Sequence, residues 1–311
     1  MTEPGKHPLV VATVLNHNGW RDATECVESL LRSSYPNIKV VIVDNGSTDD
    51  SLERLFPLVN GDRIELVSTG RNLGSVGGTN VAIRHALKSR PEFVLTLSND
   101  LVISPDLVET LVCTMLAEPQ IGVMSTKIMY YDEPEQIWSC GMTMNHWLAR
   151  GSELAATVRA SQPDTRVLSV DLLIGCVMFF RRTLFDQVGL LDERYFYQNE
   201  EYDFFDRVRK AGWLVKVAMG PYVLHKIGRT IGTGSYDRWY YGTRNRLLYI
   251  RENLPLLQRI MARSFFYGTR AVKFVEWFVK GRADLVKATL EGWWDYRRHC
   301  FGKRLAGHAA S

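Results

Sequence analysis

Lys39-Val40-Val41-Ile42-Val43-Asp44-Asn45-Gly46-Ser47-Thr48-Asp49 changes character halfway, from a β-branched run to a polar cluster. A run of that length and composition reads as a buried strand, and the Asp, Asn, Gly and Ser that follow serve both as a turn and as a helix N-cap. The pattern recurs on either side. Leu9 to Val14 is a strand opening into Asn16-His17-Asn18-Gly19, followed by Cys26, Leu30 and Leu31 at helical spacing. Ile64 to Val67 runs into Gly70-Arg71-Asn72-Leu73-Gly74-Ser75-Val76-Gly77-Gly78-Thr79-Asn80, with Val81, Ile83, Ala86 and Leu87 at helical spacing beyond. Phe93 to Leu97 ends at Ser98-Asn99-Asp100. This alternation, which lasts to about Lys127, predicts an α/β fold with a mostly parallel sheet flanked by helices. Polar residues gather where the strands end, the edge at which open α/β sheets bind ligands.

Past Lys127 the pattern becomes irregular, with Trp138, Gly141, Trp147 and Gly151 in a loop-rich stretch, a strand-like Val170 to Phe180 and a helix-like Arg182 to Val188. A second polar cluster, Asp192-Glu193-Arg194-Tyr195-Phe196-Tyr197-Gln198-Asn199-Glu200-Glu201-Tyr202-Asp203, leads into a helix that ends at Gly212. From Tyr240 to Arg304 the chain reads as helix, with Pro255, Gly268, Gly281 and Gly292 as expected breaks. Residues 1–235 are thus expected to form one α/β domain and 236–311 a helical extension.

With 311 residues, 46% hydrophobic and 23% charged, the chain can bury a large core, which excludes a disordered protein. Its five cysteines form no C-x-x-C pair, so neither a disulfide scaffold nor a structural zinc site is expected, and a reducing compartment fits. Met1 to Pro8 is polar and carries no export signal by composition. No apolar run reaches the roughly 18 residues of a membrane span. A cytoplasmic location follows as the expectation. The net charge of +4 is too small to imply nucleic-acid binding, but it is unevenly spread: Arg244 to Ser311 carries 14 Lys and Arg against five Asp and Glu, and the remainder is mildly acidic.

Taken in order, these motifs resemble the family 2 glycosyltransferases, particularly the bacterial rhamnosyltransferase-like branch that builds surface polysaccharides. The likeness runs from about Leu9 to Leu248. It rests on Asn16-His17-Asn18-Gly19, Val43 to Asp49, Asn72-Leu73-Gly74 with Gly77, Gly78 and Asn80, the triplet Ser98-Asn99-Asp100, and Gly189-Leu190-Leu191-Asp192-Glu193. Glu200-Glu201-Tyr202-Asp203 stands for an E-D-x-D cluster, and His225 and Arg244-Asn245-Arg246 complete the set. The resemblance implies a GT-A fold, a nucleoside diphosphate sugar as donor, with dTDP-L-rhamnose as first guess and UDP-sugars open, and a glycan or lipid-linked acceptor. It implies an inverting displacement assisted by Mg2+ or Mn2+.

Residue by residue, the resemblance assigns Asn16, Asp44, Asn72, Gly74, Gly78, Asn80, Ser98 and Asn99 to the nucleotide sugar, Asp100 and His225 to the metal, and Asp192, Asp203 and Arg244 to the acceptor side. Read alone, Asp44 serves equally as a helix cap, the glycine loop as a plain turn, His225 as a core histidine, and Asp192 with Arg244 as an internal ion pair. Hard divalent cations take one or two carboxylates plus substrate phosphates, which suits Asp100. The catalytic base should be a partly desolvated carboxylate at a helix start, and register places it at Glu201. Relatives usually carry aspartate there, so the pocket is reshaped, or Glu200 does the work, or catalysis is lost. Ser98 is a second departure, standing where relatives often carry Asp or Asn. Both motivate the alternative of a non-catalytic sugar-nucleotide-binding or partner subunit. A nicotinamide oxidoreductase fits the early pattern but lacks G-x-G-x-x-G.

On one face of the tail, Arg259, Arg263, Phe266, Arg270, Lys273, Trp277 and Lys280 recur at steps of three and four. Such a face suits an anionic membrane surface on the inner side of the cell membrane, where a lipid-linked acceptor would be found. It suits equally a helical arm packed on the body or on a second copy in a homo-oligomer.

Overall fold

The computed structural model describes residues 7–61, 63–155, 166–226 and 235–304. The first six residues, Ile227 and the last seven residues of the tail lie outside them. Strands β1 (Val10–Asn16), β2 (Ile38–Asp44), β3 (Ile64–Ser68) and β4 (Phe93–Ser98) are parallel, in the order β3-β2-β1-β4. Their alternate residues feed two cores. Val11, Val41 and Val94 meet Val76, Ala82 and Ile83 of α3 (Gly74–Leu87). Val10, Ala12 and Val40 meet Cys26, Val27 and Leu30 of α1 (Trp20–Leu31) and Leu107 and Leu111 of α4 (Leu107–Ala117). Burial on both faces is why β1, β2 and β4 read as largely apolar runs, whereas only Ile64 of the edge strand β3 is buried. The short helix α2 (Ser51–Leu55) follows the polar loop after β2.

Beyond β4 the sheet becomes mixed. The short strand β5 (Leu101–Ile103) pairs antiparallel with β12 (Leu214–His225), which runs parallel to β6 (Ile121–Tyr130). Strand β11 (Val177–Arg181) is inserted antiparallel between β4 and β6. Strands β7 (Ile137–Ser139) and β10 (Val167–Ser169) pair with β6 and β12, and β8 (Met142–Asn145) with β9 (Arg150–Glu153) forms a separate hairpin. Helices α5 (Leu184–Val188) and α6 (Glu200–Lys210) precede β12. The strand-like run from Val170 is shorter than expected. Residues 170–173 turn aside to the hairpin, where Met142 and Leu172 exchange backbone hydrogen bonds, and only Val177 onward joins the sheet.

Helices α7 (Tyr236–Asn253), α8 (Leu256–Val279) and α9 (Ala283–Arg297) follow. The expected boundary at 235/236 does not separate two cores, because Leu248, Tyr249 and Ile250 of α7 are buried in the core of the body. Pro255 and Gly281 fall at helix breaks, whereas Gly268 and Gly292 lie inside α8 and α9. At Gly292 a β-carbon would sit 2.4 Å from the Tyr240 carbonyl oxygen, so this glycine permits close packing of α9 on α7. Much of the basic and aromatic face of α8 turns inward, while partly buried Lys273 and exposed Lys280 reach solvent against Glu276. Phe266 and Trp277 are buried, Arg270 stacks on the rings of Trp239 and Phe266, and Arg263 donates to the Tyr296 hydroxyl at 3.0 Å.

Candidate active site

The polar ends of β1, β2 and β4 are tied together around Asn16, which is fully buried. Its Nδ2 donates to Asp44 Oδ1 at 3.1 Å and to Ser47 Oγ at 3.3 Å, and its Oδ1 accepts from Asn99 Nδ2 at 3.0 Å. Asp44, also fully buried, accepts from the Ser47 backbone N–H and hydroxyl, so its carboxylate secures the turn after β2. Asn45, absent from the expected site, links this edge to the glycine loop: Oδ1 accepts from Leu73 N at 3.1 Å and Nδ2 donates to Gly74 O at 2.9 Å. Asn72 Oδ1 accepts from Gly74 N at 2.8 Å, and its Nδ2 lies 3.0 Å from His17 Nε2.

The glycine loop meets protein at close range. Gly74 has φ of +77°, and a β-carbon there would lie 2.3 Å from the Phe196 carbonyl oxygen, in the loop that precedes α6. A β-carbon on Gly78 would lie 2.7 Å from Leu15. Asn80 is held by protein partners. It is buried, its Nδ2 donates to Leu191 O at 2.9 Å and Glu193 Oε1 at 3.0 Å, and its Oδ1 accepts from Leu191 N at 3.1 Å. Those bonds tie α3 to the segment before α6 and commit the amide to protein partners.

Ser98 and Asp100 stand beside the start of β11. The Ser98 N–H donates to Cys176 O at 2.8 Å. Because β12 pairs with β5, His225 comes opposite Leu101, and its Nε2 lies 3.2 Å from Asp100 Oδ2. Asp100 Oδ1 and His225 Nδ1 are buried without a partner. Trp138 packs edge-on against the His225 ring, with centroids 4.7 Å apart. Among the described residues no three His, Cys, Asp or Glu side chains converge to enclose an ion. An unsatisfied carboxylate oxygen beside an imidazole fits a hard cation completed by phosphate oxygens.

Glu200 and Glu201 open α6. Burial, reinforced by the neighbouring Glu201, pushes the Glu200 carboxyl well above the usual range, and its Oε2 has no partner. Burial also raises Glu201, and backbone N–H groups at Glu201, Gly175 and Asn199 oppose the shift. Gly175 faces the carboxylate: a β-carbon there would lie 3.2 Å from Glu201 Oε1. Asp100 and Glu201 both act on the intervening thiol of Cys176, which burial first, then Asp100 and, less strongly, Glu201 push upward. Both carboxylates thus lie within electrostatic range of Cys176, and Glu201 also faces Gly175.

The three residues expected on the acceptor side are each held by protein partners. Asp192 is held by Arg194, with Nε at 2.8 Å and Nη2 at 2.7 Å from Oδ2, so its ion pair is not with Arg244. Asp203 is buried, accepting from Arg207 Nε at 2.9 Å and Asn253 Nδ2 at 3.0 Å, which ties α6 to α7. Arg244 is only 1% exposed and donates to the carbonyls of Arg194, Tyr195 and Gly302. A depression of about 450 Å3, lined by residues including Thr143, His146, Trp147 and Gln258, lies at the β8–β9 hairpin, with Trp147 47% exposed. Arg181, buried between β11 and α4, donates to backbone carbonyls and flanks the sheet.

A parallel α/β half with polar strand ends, joined to a mixed half that ends in packed helices, is the GT-A fold. The chain belongs to glycosyl transferase family 2, whose pattern matches residues 11–189, and it is a glycosyltransferase. Its relatives include the N-acetylglucosaminyl-diphospho-decaprenol L-rhamnosyltransferase of Mycobacterium tuberculosis, 27% identical over 66% of this chain and 71% of the relative. The dTDP-rhamnosyl transferase RfbF of Shigella flexneri is 24% identical over 82% of this chain and 86% of its own. Among solved structures, GalNAc-T7 with UDP, GalNAc and Mn2+ has a TM-score of 0.62 at 15% identity, covering 81% of this chain. This chain spans about half of that protein, 52%. The mannosyltransferase PcManGT of Pyrobaculum calidifontis, with GDP-Man and Mn2+, has a TM-score of 0.58 at 15% identity, covering 94% of this chain and 89% of its own. These likenesses show the fold.

Proposed function

We propose that the chain is an inverting transferase that moves a sugar from a nucleoside diphosphate to a hydroxyl of a glycan or lipid-linked acceptor in surface polysaccharide synthesis. L-Rhamnose from dTDP-L-rhamnose is the first donor to test, supported by the rhamnosyl relatives. The observation that carries this reading is a buried, unpartnered Asp100 Oδ1 beside His225, with Glu201, its carboxyl raised by burial, opposite Gly175 one residue before the Cys176 carbonyl that accepts from Ser98 N–H.

In this reading Asn16, Asp44, Asn72 and Asn99 shape the edge that receives the nucleotide. Asp100 and His225 hold Mg2+ or Mn2+, which when bound supplies charge neutralisation to the diphosphate. Glu201 takes the proton of the acceptor hydroxyl. That oxygen bonds to the anomeric carbon from the face opposite the diphosphate, whose C–O bond breaks and keeps its electron pair, so the anomeric centre inverts. Burial raises both carboxyls of the pair, and backbone N–H groups oppose the rise at Glu201. General-base assistance is worth about 10² to 10⁴ in rate.

Gly175 favours catalysis over the non-catalytic alternative. Glutamate is one methylene longer than the aspartate of relatives, and misplacement of about 1 Å can cost roughly a hundredfold. The space left by a missing β-carbon opposite Oε1 takes up that extra length.

Thermal shift across a panel of nucleotide sugars with Mn2+ tests the donor, since a ligand that binds only the native state raises the melting temperature. dTDP-L-rhamnose is expected to stabilise the protein and to be hydrolysed slowly without acceptor. Stabilisation by no pyrimidine nucleotide sugar, or binding without any turnover, overturns the reading.

A further inference from the structure

Between Leu256 and Val279, α8 has twelve exposed positions, and none carries a charge. At about 100° per residue they fall within an arc of roughly 160°, so the helix shows solvent one uncharged stripe about 36 Å long. The side chains that project from it are large: Leu256 is 70% exposed, Val272 70%, Phe278 85% and Val279 79%. The opposite side of α8 is committed to protein through buried Phe266 and Trp277, so the stripe cannot turn inward without dismantling that packing. Single exposed apolar residues are ordinary on protein surfaces, whereas a continuous stripe of this length marks a contact surface.

We propose that this stripe lies in the interfacial layer of an anionic lipid bilayer, with α8 parallel to the membrane plane. The surface that meets lipid is thus the apolar outer face of α8 and not its basic, aromatic inner face. Charge chooses lipid over a second copy. Lys280 and Lys287 stand in solvent, and Arg297 and Arg298 lie exposed over the rings of Trp293 and Trp294, cations that attract anionic headgroups and repel the same helices of another molecule. Aromatic placement agrees. Trp293 Nε1 donates to the Tyr267 hydroxyl at 3.2 Å, and the neighbouring Trp294 is 44% exposed, which sets rings with polar tips at the margin of the stripe. Among the described residues no helix is long and apolar enough to cross a membrane, and an amphipathic helix of this form lies in the headgroup layer instead.

The inference does not depend on the identity of donor or base. It is tested by co-flotation of the full chain with vesicles of phosphatidylglycerol and phosphatidylcholine, and with phosphatidylcholine alone. A Val272→Glu/Phe278→Glu variant is run alongside, with light scattering and a melting curve for each protein. Both substituted side chains stand in solvent, so the variant is expected to melt with the parent. The parent should float with the anionic vesicles, at least tenfold more than with phosphatidylcholine alone, and the variant should lose at least tenfold. A parent that stays at the bottom, or a variant that floats equally, overturns the proposal. So does a parent dimer that the variant splits, which would give the stripe to a second copy.

Discussion

His225 Nε2 lies 3.2 Å from Asp100 Oδ2, while the other oxygen of that carboxylate is buried without a partner. A buried acceptor left unsatisfied is destabilising, by about 1–3 kcal/mol, unless something binds it. The arrangement predicts that Asp100→Ala abolishes Mn2+-dependent binding of a nucleoside diphosphate, and that His225→Ala weakens the metal response by about 10- to 100-fold. Calorimetric titration with and without Mn2+ reads both. Identical metal dependence in Asp100→Ala removes Asp100 from the site.

Glu201→Gln keeps the shape of the side chain and removes its basicity. The turnover number is expected to fall by about 10² to 10⁴ with donor affinity unchanged. Because burial raises Glu201, the acid limb of the pH–rate profile should lie above the range of an ordinary glutamate. Gly175→Ala crowds Oε1 and should also slow transfer, and combining it with the shorter Glu201→Asp should recover part of the loss. Near-normal turnover of Glu201→Gln assigns the base elsewhere.

Glu200 affects stability with a definite sign. Its carboxyl is raised in the folded protein, so folding takes up a proton once the unfolded chain has begun to ionise. Below the unfolded glutamate value there is no penalty. As pH rises towards the folded value, stability is lost. Glu200→Gln should therefore raise the melting temperature relative to the parent at pH 8 and leave it nearly unchanged at pH 4, as differential scanning measurements across that range would show. An equal shift at both values would mean that ionisation of Glu200 is not the cause.

Strands β1, β2 and β4 of the parallel half were legible because each is apolar on both faces and stops at a polar cluster, so Asn16, Asp44 and Ser98 could be located by pattern. The partners of those clusters were not. Asn80 follows the glycines closely enough to look like part of a ligand loop, yet one helical turn past Gly77 its amide faces the 191–193 segment, more than a hundred positions away in sequence. The resemblance sets Arg244 and Asp203 near the cleft, and both are buried where α7, which carries Arg244, packs into the body, a packing no local periodicity announces. The composition of the tail left a membrane face and a packed arm equally open. Arginines with aromatic neighbours suggest an outward face, but here guanidinium groups stack on rings inside the helical layer, and the plain aliphatic residues were left to solvent.

Asn245 holds the acidic residues in place from a distance. Its Nδ2 donates to the carbonyls of Tyr195 and Tyr197 at 2.7 Å and of Gln198 at 2.8 Å. The loop it grips includes Phe196, Gln198 and Asn199 at φ of 60°, 67° and 65°, a conformation costing about 1–3 kcal/mol for each non-glycine residue, which persists only when the surroundings enforce it. Glu200 and Glu201 follow directly. Asn245→Ala leaves the three carbonyls without this donor and lets the loop relax, so the turnover number is expected to fall at least tenfold. Donor affinity should stay within about twofold, because Asp100 and Asn16 belong to other elements. Asn245→Asp, which cannot donate and places negative charge against carbonyl oxygens, should be worse than alanine. Kinetics paired with donor titration decide the matter: a lowered melting temperature with unchanged turnover would make Asn245 a brace for the fold alone, whereas loss of turnover at constant donor affinity identifies the loop as what aims Glu201.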